Sequence, residues 1–353
     1  MGAVKKALLF FLGLRLLAVP GWFFLYERFA PLDFIAPIFK DNFLFWSFAN
    51  FDGEHYLSIA KFGYQVRNGF PQYAFFPLYP LMIKMFSFVV RDYLLAGLAI
   101  SFISLAAILY FVPKKLHLPI LLAPGAVFLT AVYTEPLFLA LAAATFYYAN
   151  RKDWTKSVIF TALATATRVN GIFLAAFLLA TLWQNRVSLK KILGYAIVSI
   201  SGLVSYMLYL FITTGSALSW YHAQAYWGKA EATSPLTTAE SYFRAVTFEF
   251  KPDLVHLVVV FEVAITLWAI FLTLTVIRKR LLSPPYYLYL LGNLAMPILT
   301  GSLGSMPRFF LILFPSYIAI NTFSPNWRKL VYTVSSSIMI IGVILFTRGH
   351  WFA

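Results

Sequence analysis

The 353-residue chain has no cysteine and only 13 acidic residues, and charged residues of both signs together make up 12% of it. Without cysteine there is no disulfide, no thiolate metal site and no cysteine nucleophile. A soluble domain carries about 25% charged and roughly 45–50% apolar residues. Here apolar residues reach 61% and the mean hydropathy is +0.78. So few charges cannot cover that much apolar surface in water. No internal repeat is visible, which disfavours transporter folds built from inverted halves. Long apolar runs recur from end to end, so the chain reads as an all-α, multi-pass integral membrane protein.

The charge that is present is mostly positive, with a formal net charge of +15. The basic residues form no continuous polar domain, so nucleic acid is not expected as a partner. Their placement is topogenic instead. Apolar runs place eleven spans at about 7–26, 93–112, 119–133, 136–149, 157–168, 171–184, 191–213, 254–277, 285–303, 308–322 and 329–347, the third to sixth unusually short. The first is read as a retained helix, because Arg15 interrupts it and no small-residue cleavage site follows. Residues 75–90 form a further apolar segment, but Pro77, Pro80 and Lys84 mark it as an interfacial or juxtamembrane helix.

With the N-terminus inside, the inner loops hold Lys5, Lys6, Lys114, Lys115, Arg151, Lys152, Lys156, Arg186, Lys190, Lys191, Arg278, Lys279, Arg280, Arg328 and Lys329, against one acid, Asp153. Counting 75–90 as a span would invert every later loop and destroy this bias. Residues 1–353 thus read as one transmembrane domain with two long outer loops, 27–90 and 214–253. Both loops are rich in aromatics, and long loops in a compact protein are usually functional.

The first outer loop holds the densest polar cluster, Asp52, Glu54, His55 and Tyr56. Two carboxylates followed by a histidine suit a general base or a divalent-metal site. The helical spacing after Glu54 equally allows Asp52 to be an N-cap. Glu135 lies at the outer junction of two short spans, and Arg168 and Asn170 at another. An arginine at that depth needs an acid, a carbonyl or an anionic ligand. A purely structural Arg168–Glu135 pair satisfies that requirement too. Gln224, Tyr226 and Trp227 open the second loop and suit either a sugar-binding platform or an interfacial aromatic belt. Arg308 begins the tenth span, where its planar fork fits a phosphate, although snorkelling to lipid headgroups has the same signature. All these residues map to the outer face, whereas the inner face holds almost nothing but lysine and arginine. That asymmetry fits an outward-facing site for a phosphate-bearing lipid. A transporter or flippase for a lipid-linked or small anionic solute is the alternative; it would want ionisable residues near the midplane, where only Arg15 and Glu262 fall.

Six segments, FDGEHYLSIAKFGY at 51–64, AFFPLYPL at 74–81, VYTEPLFLAL at 132–141, ATRVNGIFL at 166–174, QAYWGK at 224–229 and SMPRFFLILFPSY at 305–317, resemble the PIG-V family of mannosyltransferases in order. Phe51 stands where that family usually has Trp, and Pro136 where it often has Ser. The resemblance implies a GT-C-type glycosyltransferase fold, an enzyme taking mannose from a polyprenyl-phosphate donor, and a catalytic acid in the first outer loop, for which Asp52 is the candidate. An already good leaving group makes one carboxylate sufficient. On this reading Asp52 is the base, Glu54 and His55 orient the acceptor or tune Asp52, and Arg168 and Arg308 hold the donor phosphate. Tyr56, Glu135, Asn170, Gln224, Tyr226 and Trp227 face the sugar or acceptor. No cofactor is required, although a divalent metal is compatible with Asp52, Glu54 and His55. The partners expected are the bilayer, the polyprenyl-phosphate sugar and a lipid or glycan acceptor, and the reading admits a small membrane subunit. The expected location is the plasma membrane in a prokaryote or the endoplasmic reticulum in a eukaryote, with the site on the extracytoplasmic face.

Overall fold

Few acids in an apolar chain still leave enough to start its helices. In a computed structural model, which describes every residue except Met1, Asn68, Ala230, Glu231 and Ala353, Asp92, Asp153 and Asp253 each accept a hydrogen bond from a backbone N–H three residues on. An aspartate at this position satisfies donors that the first helical turn leaves unpaired. The second carboxylate oxygen of Asp92 also accepts from Ala36 N at 3.1 Å, tying the first outer loop to the helix that Asp92 begins.

The longer helices are α1 (Ala3–Phe24), α2 (Asp52–Phe62), α3 (Leu78–Val90), α4 (Tyr93–Phe111), α5 (Thr134–Ala149), α6 (Trp154–Thr165), α7 (Gly171–Gln184), α8 (Leu189–Thr214), α9 (Pro235–Thr247), α10 (Leu254–Arg278), α11 (Pro284–Leu299), α12 (Met306–Ile312) and α13 (Pro325–Thr347). Of the described helices, α1, α4, α8, α10 and α13 are long and apolar enough to cross a bilayer unaided. The protein is an all-α polytopic membrane protein, and its one described sheet is a two-stranded hairpin pairing Val66 with Pro71 and Arg67 with Phe70.

The short helices are explained by where they sit. Every residue of α5 except Tyr147 and Tyr148 is buried, and α4, α6, α7 and α12 pack around it. A helix sheathed by other helices need not match the bilayer thickness. Its Ala140 and Ala142–Ala144 let neighbouring backbones approach closely, as small residues do inside membranes.

Two of the eleven expected spans are not continuous helices. Residues 119–133 form only the end of a short helix, His117–Leu121, and a 3₁₀ turn, Ala126–Leu129. Pro119 and Pro124 interrupt the hydrogen-bond ladder there. Gly125 lies directly beneath the carbonyl of Pro307, where a Cβ has no room. Residues 308–322 likewise divide into α12 and a 3₁₀ run, Phe314–Thr322, with Pro315 at the break. Segment 75–90 contains the 13-residue α3, packed on α2 and α4.

Candidate active site

The site is assembled where the first outer loop docks on the turn before α5. Phe48 O accepts from Val132 N at 2.8 Å, and Tyr133 Oη donates to Asn50 O at 3.0 Å while accepting from Asp52 N at 3.3 Å. The Asn50 amide donates to Phe346 O at 2.9 Å, at the outer end of α13. From below, Arg15 donates to Thr130 O at 2.9 Å and stacks on Phe11 and Phe48. Arg15, deep in the first span, therefore braces the site's floor. Between these anchors Phe51 takes a left-handed backbone (φ 58°) and packs its ring among Phe29, Phe346 and Trp351. Such a conformation is costly for a bulky residue and persists only where its surroundings impose it. It delivers Asp52 to the first position of α2.

Asp52 does not cap that helix; the N-cap position is Phe51, with no side-chain bond. The Asp52 carboxylate, 17% exposed, instead accepts a hydrogen bond from Arg308 Nη1. Arg308 is held in turn by its Nη2 on Ser305 Oγ at 2.9 Å. Ser305 is also left-handed (φ 74°), and its N–H donates to Glu262 Oε1 at 3.1 Å. Glu262 lies about 12 Å along α10 from the outer end of that helix, at 1.5 Å per residue, so the cluster is sunk below the outer rim. Burial pushes the Asp52 carboxyl up, but Arg308, with smaller help from His55 and Arg168, outweighs it and holds the group below the usual carboxylate range. The positive end of α2 favours the same ionised form.

Beside this pair stands a second. Arg168, in the turn between α6 and α7, donates to Glu135 and to Thr134 Oγ1, the latter at 3.2 Å. The structural pairing of Arg168 with Glu135 is present, but it is not isolated: Arg308 Nε lies 3.9 Å from the same Glu135 oxygen. Glu135 Oε2 and Arg308 Nε are both buried without a hydrogen-bond partner. Buried polar atoms are nearly always paired, so these two orphans beside two guanidinium groups are candidate contacts for a ligand.

The remaining sequence candidates divide. Tyr56 joins the cluster through Thr134 Oγ1 at 3.3 Å. His55 stacks on Phe75 with centroids 5.0 Å apart, meets the edge of Trp227 at 4.9 Å, and accepts from the Gln72 amide on Nδ1 at 3.3 Å. Burial lowers its affinity for a proton, and Arg67 adds to that, against the opposing pull of Asp52 and Glu54. Trp227 also packs on Phe70 and Phe75, and its Nε1 is buried without a partner. Glu54 turns away from Asp52 and pairs with Arg67 at 2.7 Å on the hairpin. Asn170 donates to Asn293 Oδ1 at 2.8 Å, which fastens the α6–α7 turn to α11. Gln224 is half-buried at the start of a 3₁₀ turn, Gln224–Trp227, and Tyr226 is 60% exposed. Among the described residues no three or more His, Asp or Glu side chains gather as a metal site, and the opposite facing of Asp52 and Glu54 is the reason here.

Sequence reasoning did not single out Lys229, although it closes the segment QAYWGK. Its ammonium lies 4.3 Å from the centroid of Phe309, a ring that also has the Arg168 guanidinium 5.6 Å away. A separate cavity of about 600 Å³ lies between α10 and α13, lined by Trp268, Phe271, Phe323 and Trp327 among other apolar residues. It shares no residue with this polar cluster.

A family model described as Mannosyltransferase (PIG-V) matches residues 30–231, a stretch that holds Asp52, Glu135, Arg168 and Lys229 but not Arg308. The human protein named GPI alpha-1,6-mannosyltransferase 2 is 30% identical over 182 residues, covering 45% of this chain and 36% of its own. The protein of that name from Cricetulus griseus is 30% identical over 155 residues, covering 37% of this chain and 31% of its own. The alignments thus span about a third of the length of these curated relatives. No solved structure matches. By the extent of the family match, this chain belongs to the PIG-V family of mannosyltransferases.

Proposed function

We propose that this protein transfers a mannosyl group from a polyprenyl-phosphate donor to a hydroxyl of a lipid or glycan acceptor, on the extracytoplasmic side of its membrane and with inversion. The observation that carries the proposal is the contact between Asp52 and Arg308. A carboxylate kept ionised at neutral pH lies directly beside a guanidinium group, whose planar fork suits a phosphate.

The chemistry follows from that juxtaposition. The acceptor oxygen attacks the anomeric carbon as the bond from that carbon to the phosphate oxygen breaks. Asp52 takes the acceptor proton, and the polyprenyl phosphate leaves with the bonding electron pair. Negative charge grows on the leaving oxygen, where Arg308 and Arg168 offset it. A phosphate on Arg308 competes for hydrogen bonds now spent on Asp52, so donor binding frees the carboxylate to act as a base. Glu135 keeps both guanidinium groups aligned. Gln72 holds the His55 ring, so that Nε2–H is the face left to meet the acceptor. Trp227, on the same aromatic wall, offers its unpartnered N–H to the sugar. Lipid-linked substrates suit a cluster sunk between helices. The extracytoplasmic assignment is supported by the basic inner loops, which lie at the opposite ends of the helices that carry the cluster.

The test is incubation of the purified protein with radiolabelled polyprenyl-phosphate mannose and membrane lipid extract. Label entering a new, acid-stable product supports the proposal. An intact, bound donor with no transfer to any extract counts against mannose as the transferred sugar.

A further inference from the structure

The two ion pairs of the site are balanced, Arg308 against Asp52 and Arg168 against Glu135. Lys229 adds a basic group that belongs to neither pair. It is half-buried, and among the described residues its ammonium makes no hydrogen bond and no ion pair, only the contact with the Phe309 ring. The Phe309 ring thus has Lys229 and Arg168 against it, and both Arg168 and Arg308 are near enough to Lys229 to act on its charge.

The second outer loop is built to deliver this lysine. Trp227 wedges among His55, Phe70 and Phe75 on the first outer loop and fixes where the turn sits. Gly228 then takes a left-handed conformation (φ 70°), which glycine adopts without penalty. Lys229 N closes the turn on Gln224 O at 3.2 Å and the side chain reverses toward α12. Anchor, hinge and cation occupy three consecutive positions.

We propose that Lys229 is a third ligand of the donor phosphate, carried onto Arg168 and Arg308 by the second outer loop. This rests on the donor reading above. A phosphodiester spreads one negative charge over two non-bridging oxygens, each able to accept more than one hydrogen bond, so two forked guanidinium groups and a compact ammonium can share it. The groups that act on Lys229 are Arg308 on α12, Arg168 in the α6–α7 turn, Asp52 on α2 and Glu262 on α10. Burial, then the two arginines, push its ammonium down to about 7, against the pull of the two acids. With no donor bound, the lysine is therefore partly neutral at neutral pH. An arriving phosphate restores its proton, so donor affinity is greatest below pH 7 and declines as pH rises through that value. The donor is a phosphodiester with no ionisation in this range, so the decline belongs to the protein.

The experiment measures equilibrium binding of radiolabelled polyprenyl-phosphate mannose to the full-length protein in nanodiscs, without acceptor, from pH 6 to 9. It compares wild type with Lys229→Met, which keeps the stem against Phe309, and Lys229→Arg, which keeps the charge. The expected wild-type affinity falls about tenfold across the range, the worth of one charge-assisted hydrogen bond. Lys229→Met starts about tenfold weaker at pH 6 and stays flat, while Lys229→Arg binds like low-pH wild type throughout. Wild-type affinity and pH dependence in Lys229→Met overturn the proposal. A decline that persists in Lys229→Arg overturns it too, because Glu262 or His55 is then the titrating group. Absence of donor binding by wild type at every pH instead removes the donor reading on which the proposal stands.

Discussion

Arg308 donates a hydrogen bond to Asp52 across 256 residues of sequence, joining the last third of the chain to the first outer loop. The pair exists because each partner sits beside a left-handed residue, Phe51 before Asp52 and Ser305 before α12, each fixed by its own contacts. Strain of this kind costs about 1–3 kcal/mol per residue and collects at functional sites. The fold therefore spends stability on bringing this carboxylate to this arginine.

Glu54→Gln tests which carboxylate is the base. Glu54 is 28% exposed and paired with Arg67 on the surface hairpin, where an ion pair is worth about 0–1 kcal/mol. Thermal unfolding in detergent is expected to change by no more than that, and mannosyl transfer to stay within about threefold, a loss of roughly 0.7 kcal/mol. A collapse of transfer with unchanged folding would move the base role to Glu54.

Glu135→Ala removes the shared partner of two arginines. Glu135 is fully buried, and breaking a buried pair by deleting one member costs about 3–5 kcal/mol. The expected result is a marked fall in melting temperature, larger than for Glu54→Gln. An unchanged melting temperature would show that the arginines are not held by this acid.

Gly125→Ala probes the support of Arg308 without touching any ligand-facing side chain. The new methyl collides with the Pro307 carbonyl, and overpacking of this kind costs about 1–3 kcal/mol. Donor binding is expected to weaken together with stability. Wild-type binding in a stable variant would mean that α12 can shift without moving Arg308.

His55 gives a pH signature. Its folded affinity for protons lies below the ordinary histidine value, chiefly through burial. The unfolded chain thus binds more protons near the ordinary histidine value of 6.5, so stability is full above it and declines as pH falls through it. Melting temperature measured from pH 7.5 to 5 is expected to drop in wild type and to drop less in His55→Gln. Equal slopes would assign the acid sensitivity to other groups.

The site's ingredients were legible because charge is scarce: an acid or arginine placed among apolar runs has few innocent explanations. Asp52, Glu135, Arg168 and Arg308 all reach the same cluster for that reason. Their pairing was less legible. Asp52 and Glu54, two apart on a helix, point to different sides, so the local D-x-E pattern does not make a dyad. The acid and arginine that do touch are too far apart in sequence for any spacing rule. Lys229 was missed because a lysine in a long loop normally reads as solvated, and only the fold shows it over Phe309. Among the spans, α1, α4, α8, α10 and α13 are long enough for hydropathy alone to find. Segments 119–133 and 308–322 are apolar yet broken, since hydropathy records burial and not whether the hydrogen-bond ladder is continuous.

The central claim is that Asp52 acts as the base while Arg308 serves the phosphate, and the Asp52→Asn variant separates the two roles. Mannosyl transfer and donor binding should be measured on the same preparation, with radiolabelled polyprenyl-phosphate mannose. Transfer is expected to fall by at least about 10²-fold, the usual contribution of a positioned base. Donor binding should be as tight as wild type or tighter, because the neutral amide competes less for Arg308. Near-normal transfer in that variant, or loss of binding with transfer per bound donor unchanged, would contradict the account.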